Sequence, residues 1–275
     1  LTVQGEGEID DFAAELSLAT GGQPRVTGTV AILAPEAENS WDVRVDITGD
    51  PSPVLAEDMQ NFFGTDIAVQ ARLIRDASGR IDLPEFTLAA RALDLSGTAA
   101  IVANGWPETF EVTGQMVNPD GGPVVLPFGG GDTSVSEVTF DAALNGDLRF
   151  DARMSDFENA AAKLNQLTVT GRGDIDPQSF SADGRFDLGL SFAAEALDMR
   201  DPALTAAIGR NINGAAQVNY VSEQPVQITS LEIAGEDYGL TGLATWNAEN
   251  TIPLALDLRL IAQNIARFSD IAGRD

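Results

Sequence analysis

Carboxylates are the side chains of this sequence that are best able to do chemistry. The chain has 42 Asp and Glu residues against 16 Lys and Arg, which gives a net charge of −26. Two aspartate pairs are close in sequence, Asp174 with Asp176 and Asp147 with Asp151. A glycosidase needs two carboxyl groups at a defined separation, usually in a cleft lined by aromatic rings. Aromatic residues make up only 7% of the chain and fall mostly on the apolar positions of alternating segments, so we predict that the protein is not an enzyme.

The sequence contains no His and no Cys, and this excludes several classes of site. Without Cys there is no disulfide, no thiolate nucleophile and no zinc site built on sulfur. Without His there is no imidazole base, no Ser-His-Asp triad and no histidine-bound iron or zinc. Lys163 is the only lysine and the arginines are scattered singly. Because duplex binding requires clustered cations, we expect no nucleic-acid partner.

Carboxylates in acidic, glycine-rich β-repeats can also bind calcium. The stretch 173–177 (GDIDP) lacks the glycine and distal Glu of an EF-hand loop, and no Gly-Gly-x-Gly-x-Asp repeat occurs. The Gly- and Pro-rich segment 118–132 has no Lys-Ser/Thr after its glycines, so it is not a phosphate loop. We predict neither a metal site nor a cofactor, and a structural calcium ion stays an open alternative.

The sequence pattern predicts that β-strands position these acidic residues. Strict alternation of apolar and polar residues, the pattern of a strand with one apolar face, occurs at 41–48, where Trp41 begins the apolar positions. The same alternation recurs at 138–144, 148–154, 186–192 and 254–260. The turn Asn145-Gly146-Asp147 predicts a hairpin, because Asn and Gly tolerate positive φ. We therefore predict an all-β fold with a dozen or more strands, nearly all antiparallel.

Short helices are predicted where apolar residues recur at spacings of three and four. The four segments are 53–63, 156–164, 201–212 and 261–271. Ser52 and Asp201 each precede a proline and are predicted to cap the first and third of them. Helices of about ten residues are marginal alone, so we expect them to pack against the sheet.

An internal repeat relates 81–102 to 226–247, which align without a gap at an offset of 145 residues. The repeat is marked by glycines inside strand patterns, which are typical of a bulge or bend in a curving sheet. These glycines are Gly5, Gly28, Gly97, Gly171 and Gly242. We predict one continuous array over residues 1–275. Its units are 1–52, 53–117, 133–200 and 201–260, with 118–132 as a connecting loop and 261–275 as the start of another unit.

The apolar face of the strands is the remaining feature. In a two-sheet sandwich this face would be the core, whereas in a single curved sheet it would line an open groove. A strand of about eight residues spans roughly 26 Å, which is enough to fold across an acyl chain. The pattern itself leaves both architectures open. The predicted groove lining is Trp41, Val43, Val45, Ile47, Phe140, Leu144, Leu148, Phe150, Leu188, Leu190, Leu256 and Leu258.

Three segments give the sequence a family resemblance. They are 48–67 (TGDPSPVLAEDMQNFFGTDI), 105–128 (GWPETFEVTGQMVNPDGGPVVLPF) and 260–275 (LIAQNIARFSDIAGRD). Together with the repeat style, they resemble the TamB family, the inner-membrane subunit of the translocation and assembly module, related to AsmA-like bridge proteins. The low lysine content resembles that of alphaproteobacterial members of the family.

The resemblance implies a β-taco, a long half-folded antiparallel sheet with an apolar channel along its inside. Such proteins cross the periplasm of Gram-negative bacteria, carry an N-terminal inner-membrane anchor and meet the outer-membrane barrel TamA, of the Omp85 type. They are implicated in moving glycerophospholipids and in assembling outer-membrane proteins. Neither an anchor nor a partner-binding domain is recognisable here, so we expect both to lie outside these residues.

The sequence thus supports a non-enzymatic, periplasmic lipid conduit whose apolar face contacts phospholipid acyl chains. The alternative is a closed β-sandwich that serves as an adhesin or scaffold module, with or without calcium to stiffen it. A third option is that strand edges guide unfolded outer-membrane strands by pairing with them. The acids fall largely on the polar positions, and an acidic exterior is repelled by anionic lipid surfaces.

Overall fold

The structure, a computed structural model, describes residues 2–8, 11–33, 40–127, 133–175, 184–247 and 254–271. Nineteen strands and two α-helices make up this part of the chain, together with the 3₁₀ turns Ser52–Val54 and Ile265–Phe268. The helices are α1 (Glu57–Phe63) and α2 (Pro202–Ile208). The strands are β1 (Thr2–Glu8), β2 (Asp11–Thr20), β3 (Gln23–Leu33), β4 (Trp41–Gly49), β5 (Ile67–Arg75), β6 (Ile81–Ala89), β7 (Leu93–Ile101), β8 (Pro107–Val117), β9 (Val124–Val125), β10 (Ser134–Val135), β11 (Glu137–Asn145), β12 (Asp147–Glu158), β13 (Ala162–Ile175), β14 (Arg185–Glu195), β15 (Asp198–Met199), β16 (Ile212–Val221), β17 (Val226–Ala234), β18 (Tyr238–Trp246) and β19 (Ala255–Ala262).

The chain divides into two units, each built on antiparallel strands. The N-terminal unit comprises Leu1–Gly131 with Asp141–Asn145, and the C-terminal unit comprises Asp132–Phe140 with Gly146–Asp275. In the N-terminal unit β1 to β8 pair antiparallel in chain order. In the C-terminal unit the order is β12, β13, β14, β16, β17, β18 and β19, and the short β10 and β15 pair with β12 and β13.

The prediction of an all-β, mostly antiparallel fold with a curved, unclosed sheet is confirmed. The long strands of each unit belong to one sheet, not to the two stacked sheets of a sandwich. Among the described residues, β1 does not pair with β8 and β12 does not pair with β19. Gly146 lies between β11 and β12 with φ +79°, the positive φ predicted for this turn, and the hairpin pairing of the two strands stays a prediction.

The predicted helix at 201–212 forms as α2, in a shortened version. Asp201 caps it as predicted, because its carboxylate accepts a hydrogen bond from the Ala203 amide at 2.9 Å. The predicted helix at 261–271 is wrong as an α-helix. β19 keeps its pairing with β18 as far as Ala262, and only a single 3₁₀ turn follows.

The predicted helix at 53–63 is split into a 3₁₀ turn and α1. The prediction that Ser52 caps it is also wrong, since Ala56 precedes α1 and makes no side-chain cap. Ser52 instead donates its own amide to the Asp50 carboxylate at 3.0 Å, which turns the chain before the helix begins.

The helix predicted at 156–164 is wrong, because β12 and β13 form a hairpin there. The Asn159 side chain accepts hydrogen bonds from the amides of Ala161 and Ala162, both at 2.8 Å. Asp156 takes a left-handed φ of 49° just before this turn. An Asx-type turn therefore accounts for apolar spacing that resembled a helix.

The internal repeat extends further in three dimensions than in sequence. α1 and α2 are offset by 145 residues, and so are the bounds of β6 and β17 and those of β7 and β18. The register shift between Leu83 and Phe86 recurs between Ile228 and Leu231, again at that offset. The repeating module is thus a strand, a short helix and three further strands.

Candidate functional site: the apolar face of each unit

Strand register gives the N-terminal unit one apolar face, because directly paired residues project from the same side of a sheet. Two adjacent rows of paired residues each cross all eight strands without a polar side chain. One row is Val3, Leu16, Gly28, Ile47, Val69, Leu88, Leu95 and Gly114; the other is Gly5, Ala14, Val30, Val45, Ala71, Phe86, Gly97 and Val112. We call this side of the sheet the apolar face of the unit.

The C-terminal unit has an apolar face of the same kind across its seven long strands. One row is Phe150, Gly171, Leu190, Ala216, Leu231, Gly242 and Leu258, and its neighbour is Leu148, Gly173, Leu188, Val218, Ile228, Ala244 and Leu256. Neither row contains a polar side chain. The sheet therefore offers a continuous hydrocarbon surface several strands wide.

The register brings ten of the twelve predicted lining residues onto these two faces. Trp41, Val43, Val45 and Ile47 lie together on β4 in the N-terminal unit. The six residues of β12, β14 and β19 share the two rows of the C-terminal unit, where Phe150, Leu190 and Leu258 lie in one row and Leu148, Leu188 and Leu256 in the other.

The two remaining predicted residues, Phe140 and Leu144, are on β11 and are not part of these rows. Leu144 is only 2% exposed, so a ligand could not reach it. The ten predicted lining residues on the faces are half-buried or exposed, and Leu256 retains 56% of its accessible surface, whereas Ala14, Gly171 and Ala244 of the rows are buried. A ligand could reach most of this lining.

The repeat-marking glycines all lie on the apolar faces. At each of them an apolar side chain from a neighbouring strand lies within 3.3 Å of the place a β-carbon would take. The neighbours are Phe12 at Gly5, Ile47 at Gly28, Phe86 at Gly97, Leu190 at Gly171 and Leu258 at Gly242. Glycine thus lets large side chains lean over the adjacent strand on the apolar face.

Most charged groups lie on the opposite, polar face; Arg75, paired with Trp41 at the end of β5, is an exception on the apolar side. Asp42 on the polar face accepts hydrogen bonds from the Arg72 guanidinium, the shortest at 2.6 Å, and this contact holds the pKa of the Asp42 carboxyl below its usual value. Asp151, one of the candidate catalytic aspartates, pairs with Arg172 at 2.7 Å. The faces are therefore sorted by polarity as the alternation requires.

The described members of the candidate acid pairs lie on the polar face of the C-terminal unit. Asp147 pairs in register with Asp174, which in turn pairs with Asp187, so all three lie on the polar face of adjacent strands. Asp176 lies outside the described residues. Within the described ranges, no group of three or more acidic residues is arranged to hold a metal ion.

The helices close one end of the strands, a feature that the sequence analysis did not identify as part of a site. In the N-terminal unit Phe62 of α1 is 2% exposed, and the Ala92 amide donates to its carbonyl at 3.1 Å. In the C-terminal unit Arg267 pairs with Asp237 and donates to the Ala206 carbonyl of α2 at 3.2 Å. The internal repeat could have revealed this feature, because α1 and α2 occupy the same position in the repeat.

The same corner of the C-terminal unit contains an aromatic cluster. Tyr238 meets Phe268 edge to face at a centroid separation of 5.8 Å, and the Arg267 guanidinium lies 5.3 Å from the Tyr238 ring centroid. Burial raises the pKa of the Tyr238 phenol. The cluster fastens the last 3₁₀ turn to the sheet.

None of the described helices is long and apolar enough to span a bilayer. Comparison with known proteins gives no family model that matches the chain, and no curated protein or solved structure matches it.

Proposed function

We propose that this chain is a periplasmic segment of a TamB-like bridge that carries glycerophospholipids by holding their acyl chains against its apolar faces. The observation that carries the proposal is the register, which aligns uncharged and mostly accessible residues in rows seven and eight strands wide. The identity of the ligand as a phospholipid and the periplasmic location are taken from the resemblance to the TamB family. That resemblance also implies an outer-membrane barrel of the TamA type as a partner of the full-length protein.

The mechanism is passive and non-enzymatic. Each methylene group taken from water contributes about 0.8 kcal/mol, so ten of them held against the face contribute ~8 kcal/mol before the entropy of ordering the chain is subtracted. Because the rows contain no polar side chain, neighbouring positions offer similar binding energies. A lipid can then move sideways from strand to strand without meeting a deep trap.

Adjacent residues on one strand provide a matched test in cells. Phe150 lies on the apolar face, whereas Arg149 pairs with Arg172 on the polar face. A photo-crosslinking amino acid at Phe150 should capture phospholipid, and the same group at Arg149 should not. Leu188 and its neighbour Asp187 form a second pair of this kind. Equal capture from the two faces, or none from either apolar position, would overturn the proposal.

A further inference from the structure

The two ends of the strands differ in chemistry within each unit. One end adjoins α1 in the N-terminal unit and α2 in the C-terminal unit, and we call it the helix edge. It contains buried apolar residues, including Phe62 in α1, Ala92 beside α1, and Ala203 and Ala207 in α2. Buried apolar side chains therefore end each unit at the helix edge.

The opposite strand ends carry all three tryptophans of the sequence, and we call them the tryptophan edge. Trp41 is the first residue of β4, Trp106 lies in the turn before β8, and Trp246 is the last residue of β18. Each is between 37% and 40% exposed. In an antiparallel sheet the start of β4, the start of β8 and the end of β18 all fall on the side away from the helix of their unit.

Tryptophan is suited to the boundary between an apolar surface and water. Its ring is apolar while its single N–H needs a polar partner, so it is enriched where hydrocarbon meets water in membranes. Trp41 and Trp246 project from the apolar faces, opposite Arg75 and Val226, at the point where those faces reach solvent.

We infer that a bound phospholipid lies across the strands, with its headgroup at the tryptophan edge and its acyl ends toward the helix edge. This inference rests on the proposed function. A nine-residue strand such as β4 is about 30 Å long. An acyl chain occupies half of a hydrocarbon core of ~30 Å, or about 15 Å. The face is therefore long enough for the tails and leaves the headgroup at the edge.

Charges at the tryptophan edge fit a zwitterionic headgroup. The C-terminal unit has a cleft of about 570 Å³ at this edge, with the stacked rings of Phe186 and Tyr220 at a centroid separation of 5.2 Å. Arg185, Asp174 and Asp187, which project from the polar side of these strand ends, also line the cleft. A guanidinium suits a phosphate, and carboxylates suit an ammonium group. An anionic headgroup without an amine would meet the carboxylates unfavourably.

The tryptophans themselves provide the test, because bromine on a lipid quenches indole fluorescence only at contact distance. The intact chain is loaded with phosphatidylcholine brominated either near the carboxyl end or near the methyl end of its acyl chains. We expect a greater loss of tryptophan emission with bromine near the carboxyl end. A variant that replaces the three tryptophans by Phe and carries Leu93→Trp moves the indole to the helix edge, and there the order should reverse. Tyr238→Trp is the equivalent probe in the C-terminal unit.

The outcomes separate the inference from the proposed function. Stronger quenching of the native tryptophans by bromine near the methyl end, or equal quenching by both lipids, would overturn the headgroup placement while acyl binding stands. Absence of quenching by either lipid, in the native chain and in both relocated probes, would overturn the proposed function and this inference with it.

Discussion

Two glycines on one strand should respond in opposite ways to the same substitution. Gly171 and Gly173 both lie on the apolar face of β13, two residues apart. A β-carbon at Gly173 would lie 2.3 Å from the carbonyl oxygen of Asp187 and 2.9 Å from Cα of Leu188. Both are backbone atoms, so the strands must separate by about 1 Å to reach ordinary contact. At Gly171 the nearest atom is a rotatable methyl of Leu190, at 3.3 Å.

The magnitudes follow from these distances. Forced overpacking costs about 1–3 kcal/mol, and alanine in place of glycine recovers about 0.4–1 kcal/mol by restricting the unfolded chain. Gly173→Ala should therefore destabilise the C-terminal unit by about 1–2 kcal/mol. Gly171→Ala should leave the free energy of unfolding unchanged or raise it slightly, because only a side chain has to move.

Urea denaturation followed by circular dichroism measures the difference. With a slope of about 2 kcal/mol per molar urea, a gap of ~2 kcal/mol separates the midpoints of the two variants by roughly 1 M. A Gly173→Ala variant as stable as the unsubstituted chain, or less stable Gly171→Ala protein, would refute the strand spacing on which this reasoning depends.

Three further substitutions probe the polar face and the helix edge. Asp42→Asn should lower the free energy of unfolding at neutral pH by less than about 1 kcal/mol, since the pair with Arg72 is partly exposed. The folded-state pKa of Asp42 is depressed, so this stabilisation is present above the unfolded pKa and is lost as pH falls through the folded one; denaturation across acidic pH should show the two proteins converging, and a constant gap would contradict the pairing. Asp201→Ala should cost about 1 kcal/mol by removing the cap of α2, and an unchanged urea midpoint would argue against that cap. Arg267→Ala removes three contacts at once and should cost about 2 kcal/mol, and amide exchange should accelerate near Tyr238; unchanged exchange there would show that Arg267 does not fasten this corner.

The strands could be predicted from sequence because alternation is local and each strand has one apolar face. The row that contains Phe150, Leu190 and Leu258 could not be predicted, because it depends on the register of every successive strand pair between them. The segments 156–164 and 261–271 were misassigned because apolar spacing alone does not distinguish a helix from a hairpin turn or a strand end. The Asx turn at Asn159 makes 156–164 a hairpin turn, and the pairing of β19 with β18 keeps the start of 261–271 in a strand.

The glycine repeat was visible in sequence, but its reason was not. Gly5, Gly97 and Gly242 could be recognised as bends, whereas the neighbouring side chains that lean over them come from other strands. The tryptophan edge was missed for the same reason. Trp41, Trp106 and Trp246 have no regular spacing, and only the strand topology assigns them to equivalent strand ends.

The central claim is that the apolar face binds phospholipid, and native mass spectrometry of the chain purified from a Gram-negative host tests it most directly. Leu190 lies in the middle of the Phe150 row, and Ser191 beside it pairs with Thr170 on the polar face. We expect the unsubstituted chain and Ser191→Asp to retain masses of phospholipid, with or without a calcium chelator. Leu190→Asp should lose them while it keeps the same circular dichroism. Folded, lipid-free protein from the unsubstituted chain, or lipid retained equally by Leu190→Asp, would contradict the account.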